Sequence, residues 1–186
     1  VYVLKELFDW LKVEHSLKDL PIIVLPIVNV DGYRAGTRVN AHQVDLNRNL
    51  PTSDWKPVAS QPKYYPGPEA LSEPENQFLV KLFDKYRPGF ILSFHTWKPI
   101  LNYNGDCEDI ALFLKKYNDY PVDSDIGYPT PGSLGAYGPE KYNCPVLTFE
   151  CPELRTHKET LKEIWDENEK GLKDLMQSDL ITNKLK

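Results

Sequence analysis

Asn47 and Arg48 stand side by side in Val44-Asp45-Leu46-Asn47-Arg48-Asn49, and together they can hold a carboxylate. A planar guanidinium takes both carboxylate oxygens through parallel hydrogen bonds, and an adjacent amide adds a third donor. Such a clamp suits the free C-terminus of a peptide. Glu150 directly follows Val146-Leu147-Thr148-Phe149, and an acid placed there is costly unless it faces a cleft or a partner. His95 follows Ser93-Phe94, where a strand would fix its direction, and neutral imidazole is a good zinc ligand. Each residue also has an ordinary reading. Arg48 could form a structural ion pair while Asn47 caps a turn, His95 could be a hydrogen-bonded core residue, and Glu150 could cap a strand.

The elements that would position these residues alternate between two periods. Leu4, Leu7, Phe8 and Leu11 fall at i, i+3, i+4, i+7 and predict an amphipathic helix. Ile22-Ile23-Val24-Leu25 reads as a buried strand, continued past Pro26 by Ile27-Val28. Ser72-Glu73-Pro74-Glu75 reads as a capping box opening a helix with Phe78, Leu79, Leu82, Phe83 and Tyr86, which Arg87-Pro88-Gly89 ends. Phe90 to Phe94 is a short apolar strand, Asp109 to Tyr117 a helix, and Asp119 to Ser133 a loop rich in Pro, Gly and Asp. Val146 to Phe149 is a further strand. Thr156-His157-Lys158-Glu159 reads as a second capping box, opening a helix with Leu161, Ile164, Trp165, Leu172, Leu175 and Met176 on one side. Strands alternating with helices predict an α/β domain, a mostly parallel mixed sheet flanked by helices, with residues 1–186 as one domain. His95 and Glu150 would then sit just past the carboxyl ends of strands, where open α/β sheets place their sites.

Taken together, Asn29-x-Asp31-Gly32, Arg38, Asp45-x-Asn47-Arg48-Asn49, His95 and Glu150 resemble, in order and spacing, the zinc carboxypeptidase family of carboxypeptidase A-like exopeptidases. The resemblance runs from about Val24 to Glu153 and implies a carboxypeptidase-like fold and zinc-dependent hydrolysis of a peptide bond at a free C-terminus. It implies that Asn47 and Arg48 bind the terminal carboxylate, and that Arg38 polarises the scissile carbonyl and stabilises the oxyanion. His95 matches the third zinc ligand, and Glu150 the carboxylate that takes a proton from zinc-bound water and passes it to the leaving amine. A mobile tyrosine of the family corresponds to Tyr128, with Tyr137 as competitor. Leu134 and Gly135, in Pro131-Gly132-Ser133-Leu134-Gly135, would line the side-chain pocket. Neither is charged, so they give no sign of a preference for Lys or Arg. The compact layout resembles short members acting on cell-wall (murein) peptides.

The chain departs from the family at one motif. Its first two zinc ligands form a His-x-x-Glu, and none of the four histidines here has Glu at i+3. His95 alone cannot hold the one Zn2+ that the resemblance implies. The motif precedes the Asn-x-Asp-Gly segment in the family, which implies an N-terminally truncated catalytic domain whose other ligands lie upstream. His42 begins a superficially ligand-like His42-x-x-Asp45 but falls in the turn before the Asn-Arg block, and His15 and His157 read as surface residues. The rival from another class is a non-catalytic carboxylate- or peptide-binding module that has lost its metal.

Bulk properties narrow the field further. The chain has 186 residues, 26% charged and 41% hydrophobic, enough for one globular core. Its 22 basic against 27 acidic residues give a net charge of −5, which disfavours nucleic acid as a partner. No apolar run reaches the ~20 residues that cross a bilayer. Cys107, Cys144 and Cys151 are an odd number and lack a Cys-x-x-Cys pair, so they read as structural. The compartment stays open. No Gly-x-Ser-x-Gly is present, which counts against a serine hydrolase.

Overall fold

In the computed structural model of the chain, which describes residues 1–154 and 160–184, the described residues form one four-stranded sheet. Its strands are β1 (Ile91–Trp97), β2 (Ile100–Asn104), β3 (Val122–Asp123) and β4 (Val146–Pro152), in the order β1-β4-β2-β3. The helices are α1 (Tyr2–Leu11), α2 (Val30–Ala35), α3 (Pro74–Tyr86), α4 (Glu108–Leu114), α5 (Leu134–Tyr142), α6 (Leu161–Met176) and α7 (Asp179–Lys184). The residues divide into two compact units. One comprises Val1–Pro26, Gly89–Ile126 and Pro145–Lys186, and the other Ile27–Pro88 and Gly127–Cys144.

The first unit holds the sheet. β1 and β4 pair in parallel, β2 runs antiparallel to β4, and β3 is parallel to β2, so the expected mostly parallel mixed sheet is present. Leu147, Phe149 and Cys151 alternate along β4 into a core shared with Val3 and Leu7 of α1, Ile110, Ala111 and Leu114 of α4, and Leu172 and Leu175 of α6. Each large apolar side chain removed from water there contributes about 1.5–3 kcal/mol. Side chains alternate across a strand, so Thr148 and Glu150 point away from that core. Burial pushes the Cys107 and Cys151 thiols up to about 11, and Cys144 is buried as well.

The second unit has a mixed interior. Val39, Val44, Leu46, Leu50, Leu79, Phe83 and Tyr137 are its buried apolar residues, with the Phe83 and Tyr137 rings stacked 6.4 Å apart. Beside them lies a buried polar network. Asn76 Nδ2 donates to Leu46 O at 2.8 Å and to Asn49 Oδ1 at 3.2 Å. Asn49 Nδ2 donates to Pro66 O at 2.8 Å and to Ser72 Oγ at 2.9 Å.

Four expectations change. The apolar run from Ile22 to Val28 forms no strand; it is irregular chain with Ile22, Ile23 and Val28 exposed, because an apolar run becomes a strand only when another strand accepts its ladder bonds. The capping box at Ser72 does not form, since Pro74 opens α3 and Glu73 is its N-cap. The Ser72 hydroxyl is engaged with Glu73 Oε1 and Asn49 instead. β2 was not expected. His95 and Glu150 lie within β1 and β4 rather than beyond their ends. The second capping box, Thr156 to Glu159, falls outside the described residues; within them, Thr160 and Glu163 form a reciprocal box at the start of α6.

Candidate functional site

Asp45 organises the turn that carries Asn47 and Arg48. It is 2% exposed, and its Oδ1 accepts from Asn47 N at 3.1 Å, capping the single 3-10 turn Leu46–Arg48. A side chain that satisfies the backbone two residues on is the usual Asx device for starting such a turn. Asp45 Oδ2 accepts from Arg38 Nε at 2.7 Å. One buried carboxylate therefore fixes both the clamp turn and the second guanidinium. Arg38 is held from its other side too, because its carbonyl accepts from Asn29 Nδ2 at 3.0 Å while Asn29 Oδ1 caps α2 at Gly32 N, 2.9 Å. A Cβ on Gly32 would meet Asn29 Nδ2, Thr37 O and Val39 O within 2.7 Å, so the Asn-x-Asp-Gly word is the scaffold of the Arg38 loop.

Arg48 is buried, 8% exposed, and its Nη1 donates to Asn47 O at 2.5 Å. Among the described residues no carboxylate accepts from its guanidinium, the Asp45 carboxylate being engaged elsewhere. Burial pulls its pKa below the usual arginine value, the Asp45 charge opposes that, and Arg38 adds to the lowering. Asn47 Oδ1 accepts from Leu134 N at 2.8 Å, which leaves the amide NH2 as the end that donates.

The Pro131-Gly132-Ser133 turn is docked on this region. Leu50 N donates to Gly132 O at 3.0 Å, and Gly132 N donates to Thr52 Oγ1 at 2.9 Å. Gly132 has φ +71, and a Cβ there would lie 2.1 Å from Arg48 O, so only glycine allows this approach. Leu134 and Gly135, half-buried, form the first turn of α5, whose cap is the Ser133 hydroxyl. Tyr128 is exposed and close enough for its phenol to affect Arg48 electrostatically. Tyr137, its competitor, is buried against Phe83 and Tyr142.

In the first unit His95 and Glu150 are neighbours, register partners across the parallel β1 and β4. Both are half-buried. They share the sheet face opposite to Phe94 and Phe149, whose rings pack 5.6 Å apart. Ser93 and Thr148 occupy the next rung on the His95 side, so a polar row crosses the strands. His42 is elsewhere, on the second unit, with Nδ1 2.8 Å from Glu73 Oε2. His15 is exposed in a 3-10 turn.

A model of the zinc carboxypeptidase family matches residues 1–110. The chain belongs to the zinc carboxypeptidase family. Among curated relatives, the murein peptide amidase A of Vibrio campbellii is 35% identical over 144 residues, covering 70% of this chain and 56% of that protein. The murein peptide amidase A of Escherichia coli K12 is 29% identical over 150 residues, with coverages of 75% and 61%. The chain thus spans less than two thirds of the length of these relatives. The crystal structure of murein-tripeptide amidase MpaA from Escherichia coli O157 superimposes with a TM-score of 0.67 at 27% identity, over 81% of this chain and 65% of that one. Carboxypeptidase A from Helicoverpa armigera gives 0.75 at 18% identity, over 97% and 58%, a likeness of fold.

The family is zinc-dependent, so the donors must be weighed against zinc. A catalytic zinc takes three protein ligands and a water. Among the described residues no three His, Cys, Asp or Glu side chains group so as to hold a metal. The donor set around His95 therefore does not amount to a zinc site. No helix among them is long and apolar enough to cross a membrane.

Two residues escaped the sequence reading. Asp45 carried a signal, being an Asp two positions before the Asn it caps. Tyr64 carried none. Its ring lies under both guanidinium groups, 5.0 Å from Arg38 Cζ and 5.5 Å from Arg48 Cζ, a contact made only by folding.

Proposed function

We propose that this zinc carboxypeptidase hydrolyses a peptide bond beside a free C-terminal carboxylate, with cell-wall peptides as its substrate class. Asn47 and Arg48 bind the carboxylate. Arg38 faces the scissile carbonyl and stabilises the oxyanion through the guanidinium nitrogens that Asp45 does not use. Glu150 takes the proton of the attacking water and returns it to the leaving amine, Tyr128 closes over the bound peptide, and Leu134 and Gly135 border its terminal side chain. His95 would supply one ligand to the family's zinc.

The observation that carries this reading is the buried Arg48 guanidinium, to which no carboxylate among the described residues is bonded. A desolvated cation is costly to keep unpaired, and a ligand carboxylate relieves that cost while gaining two charge-assisted hydrogen bonds. The murein peptide amidases among the relatives support the substrate class.

A second reading has an observation behind it too. The Asn47-Arg48 pair would serve a carboxylate-binding module without catalysis equally well. Incubating the protein, in a form shown by elemental analysis to hold zinc, with a murein peptide and with its C-terminal amide separates the two readings. The catalytic reading expects cleavage of the acid and not the amide. Binding of the acid without cleavage favours the module, and indifference to the carboxylate contradicts both.

A further inference from the structure

Two guanidinium groups share one aromatic ring in the second unit. Arg38 Cζ and Arg48 Cζ lie 5.0 and 5.5 Å from the Tyr64 centroid, and Lys63 Nζ lies 4.9 Å from it. Like charges this close tend to separate, and Asp45 restrains only Arg38, through Nε. The negative face of an aromatic ring attracts both cations, so the ring supplies the restraint that Arg48 otherwise gets only from the Asn47 carbonyl.

The backbone around Tyr64 is tied to the same turn. Tyr64 ends the 3-10 turn Pro62–Tyr64, which Pro62 opens with its fixed φ. The next two carbonyls reach the clamp: Tyr65 O accepts from Asp45 N at 2.8 Å, and Pro66 O accepts from Asn49 Nδ2 at 2.8 Å. The Tyr64 loop is thus bonded to residues on both sides of Arg48, and the ring is half-buried rather than free on the surface.

We infer that Tyr64 is a positioning residue of the carboxylate site, whose ring holds the Arg38 and Arg48 guanidinium groups in the orientation that receives the anion. The inference rests on the carboxylate reading proposed above. The ring face does this work, and the hydroxyl plays no part in it.

The test uses the full chain with Tyr64→Phe and Tyr64→Leu, and two probes, N-acetyl-Ala-Ala as free acid and as C-terminal amide, titrated by NMR. Tyr64→Phe should bind the acid within about twofold of wild type, and Tyr64→Leu about tenfold more weakly, with the amide unchanged in both. In the unliganded protein, the ring-current shifts of the Arg38 and Arg48 Nε protons should persist in the Phe variant and vanish in the Leu variant. Wild-type affinity for the acid in Tyr64→Leu overturns the inference. Equal losses on acid and amide do so as well, since they mark a merely structural role, and so does a Phe variant as weak as the Leu variant. If wild type itself does not distinguish acid from amide, the carboxylate reading fails and this inference falls with it, an outcome separate from those that fault Tyr64 alone.

Discussion

Arg38 Nε donates to Asp45 Oδ2 at 2.7 Å, and this pairing explains the state of Arg48. The nearest acid in sequence is engaged by another arginine and by the Asn47 backbone N–H, so Arg48 stays buried with no carboxylate among the described residues bonded to it. The unit is arranged to present a cation rather than to neutralise one.

Removing Asp45 should loosen the whole arrangement. Asp45→Ala leaves the Asn47 amide without its cap and Arg38 without its partner. Arg38 is partly exposed, so solvent recovers some of that loss. Unfolding free energy should fall by about 1–3 kcal/mol in urea denaturation. A change inside about 0.5 kcal/mol would mean that the cap and ion pair are decorative.

Gly132→Ala should be among the most disruptive small changes in the chain. The new methyl would lie 2.1 Å from Arg48 O, at φ +71, and neither backbone nor turn can yield cheaply. A loss of about 3 kcal/mol or more is expected, together with loss of carboxylate binding. A thermal melt within a few degrees of wild type would show that the turn is not docked as described.

Glu73 should contribute to acid lability. Burial raises its pKa, but hydrogen bonds from Asn40 (2.6 Å), Ser72 (2.7 Å) and His42 outweigh that and leave it below the usual glutamate value. A carboxylate whose pKa is lower in the folded state is protonated first in the unfolded chain, so its contribution is complete above about pH 4.3 and is lost as pH falls below it. Wild-type stability should therefore drop more steeply between pH 5 and pH 3 than that of Glu73→Gln, compared by urea midpoints. Parallel curves for the two proteins contradict the assignment.

Much of this was legible from local pattern. The faces of α1, α3 and α6 repeat at helical period, and β1 and β4 are apolar runs. Ile22 to Val28 is at least as apolar as β4 yet forms no strand, because pairing depends on residues distant in sequence. β2 is short and polar at Asn102 and Asn104, and only its ladders with β4 and β3 make it a strand. At the site, Asn47 and Arg48 form a local word that can be read directly. Tyr64 reaches them through backbone bonds from Tyr65 and Pro66, which no spacing announces. The adjacency of His95 and Glu150 was hidden likewise, since it depends on which strand lies beside β1.

Glu150→Gln keeps the shape of the side chain and removes its basicity. In protein that cleaves peptide, turnover should fall by about 10²–10⁴, with folding unchanged by circular dichroism. Retention of more than about a tenth of wild-type turnover would exclude Glu150 as the proton acceptor.

The most direct measurement compares Arg48→Ala with wild type on a free-acid peptide and its C-terminal amide, by calorimetric or NMR titration. A bidentate charge-assisted pair in a closed site contributes about 3 kcal/mol, so the acid should bind about a hundredfold more weakly to the variant and the amide almost equally well. Equal losses on acid and amide, or an acid bound as tightly by the variant as by wild type, would contradict the assignment of Arg48 as the carboxylate clamp.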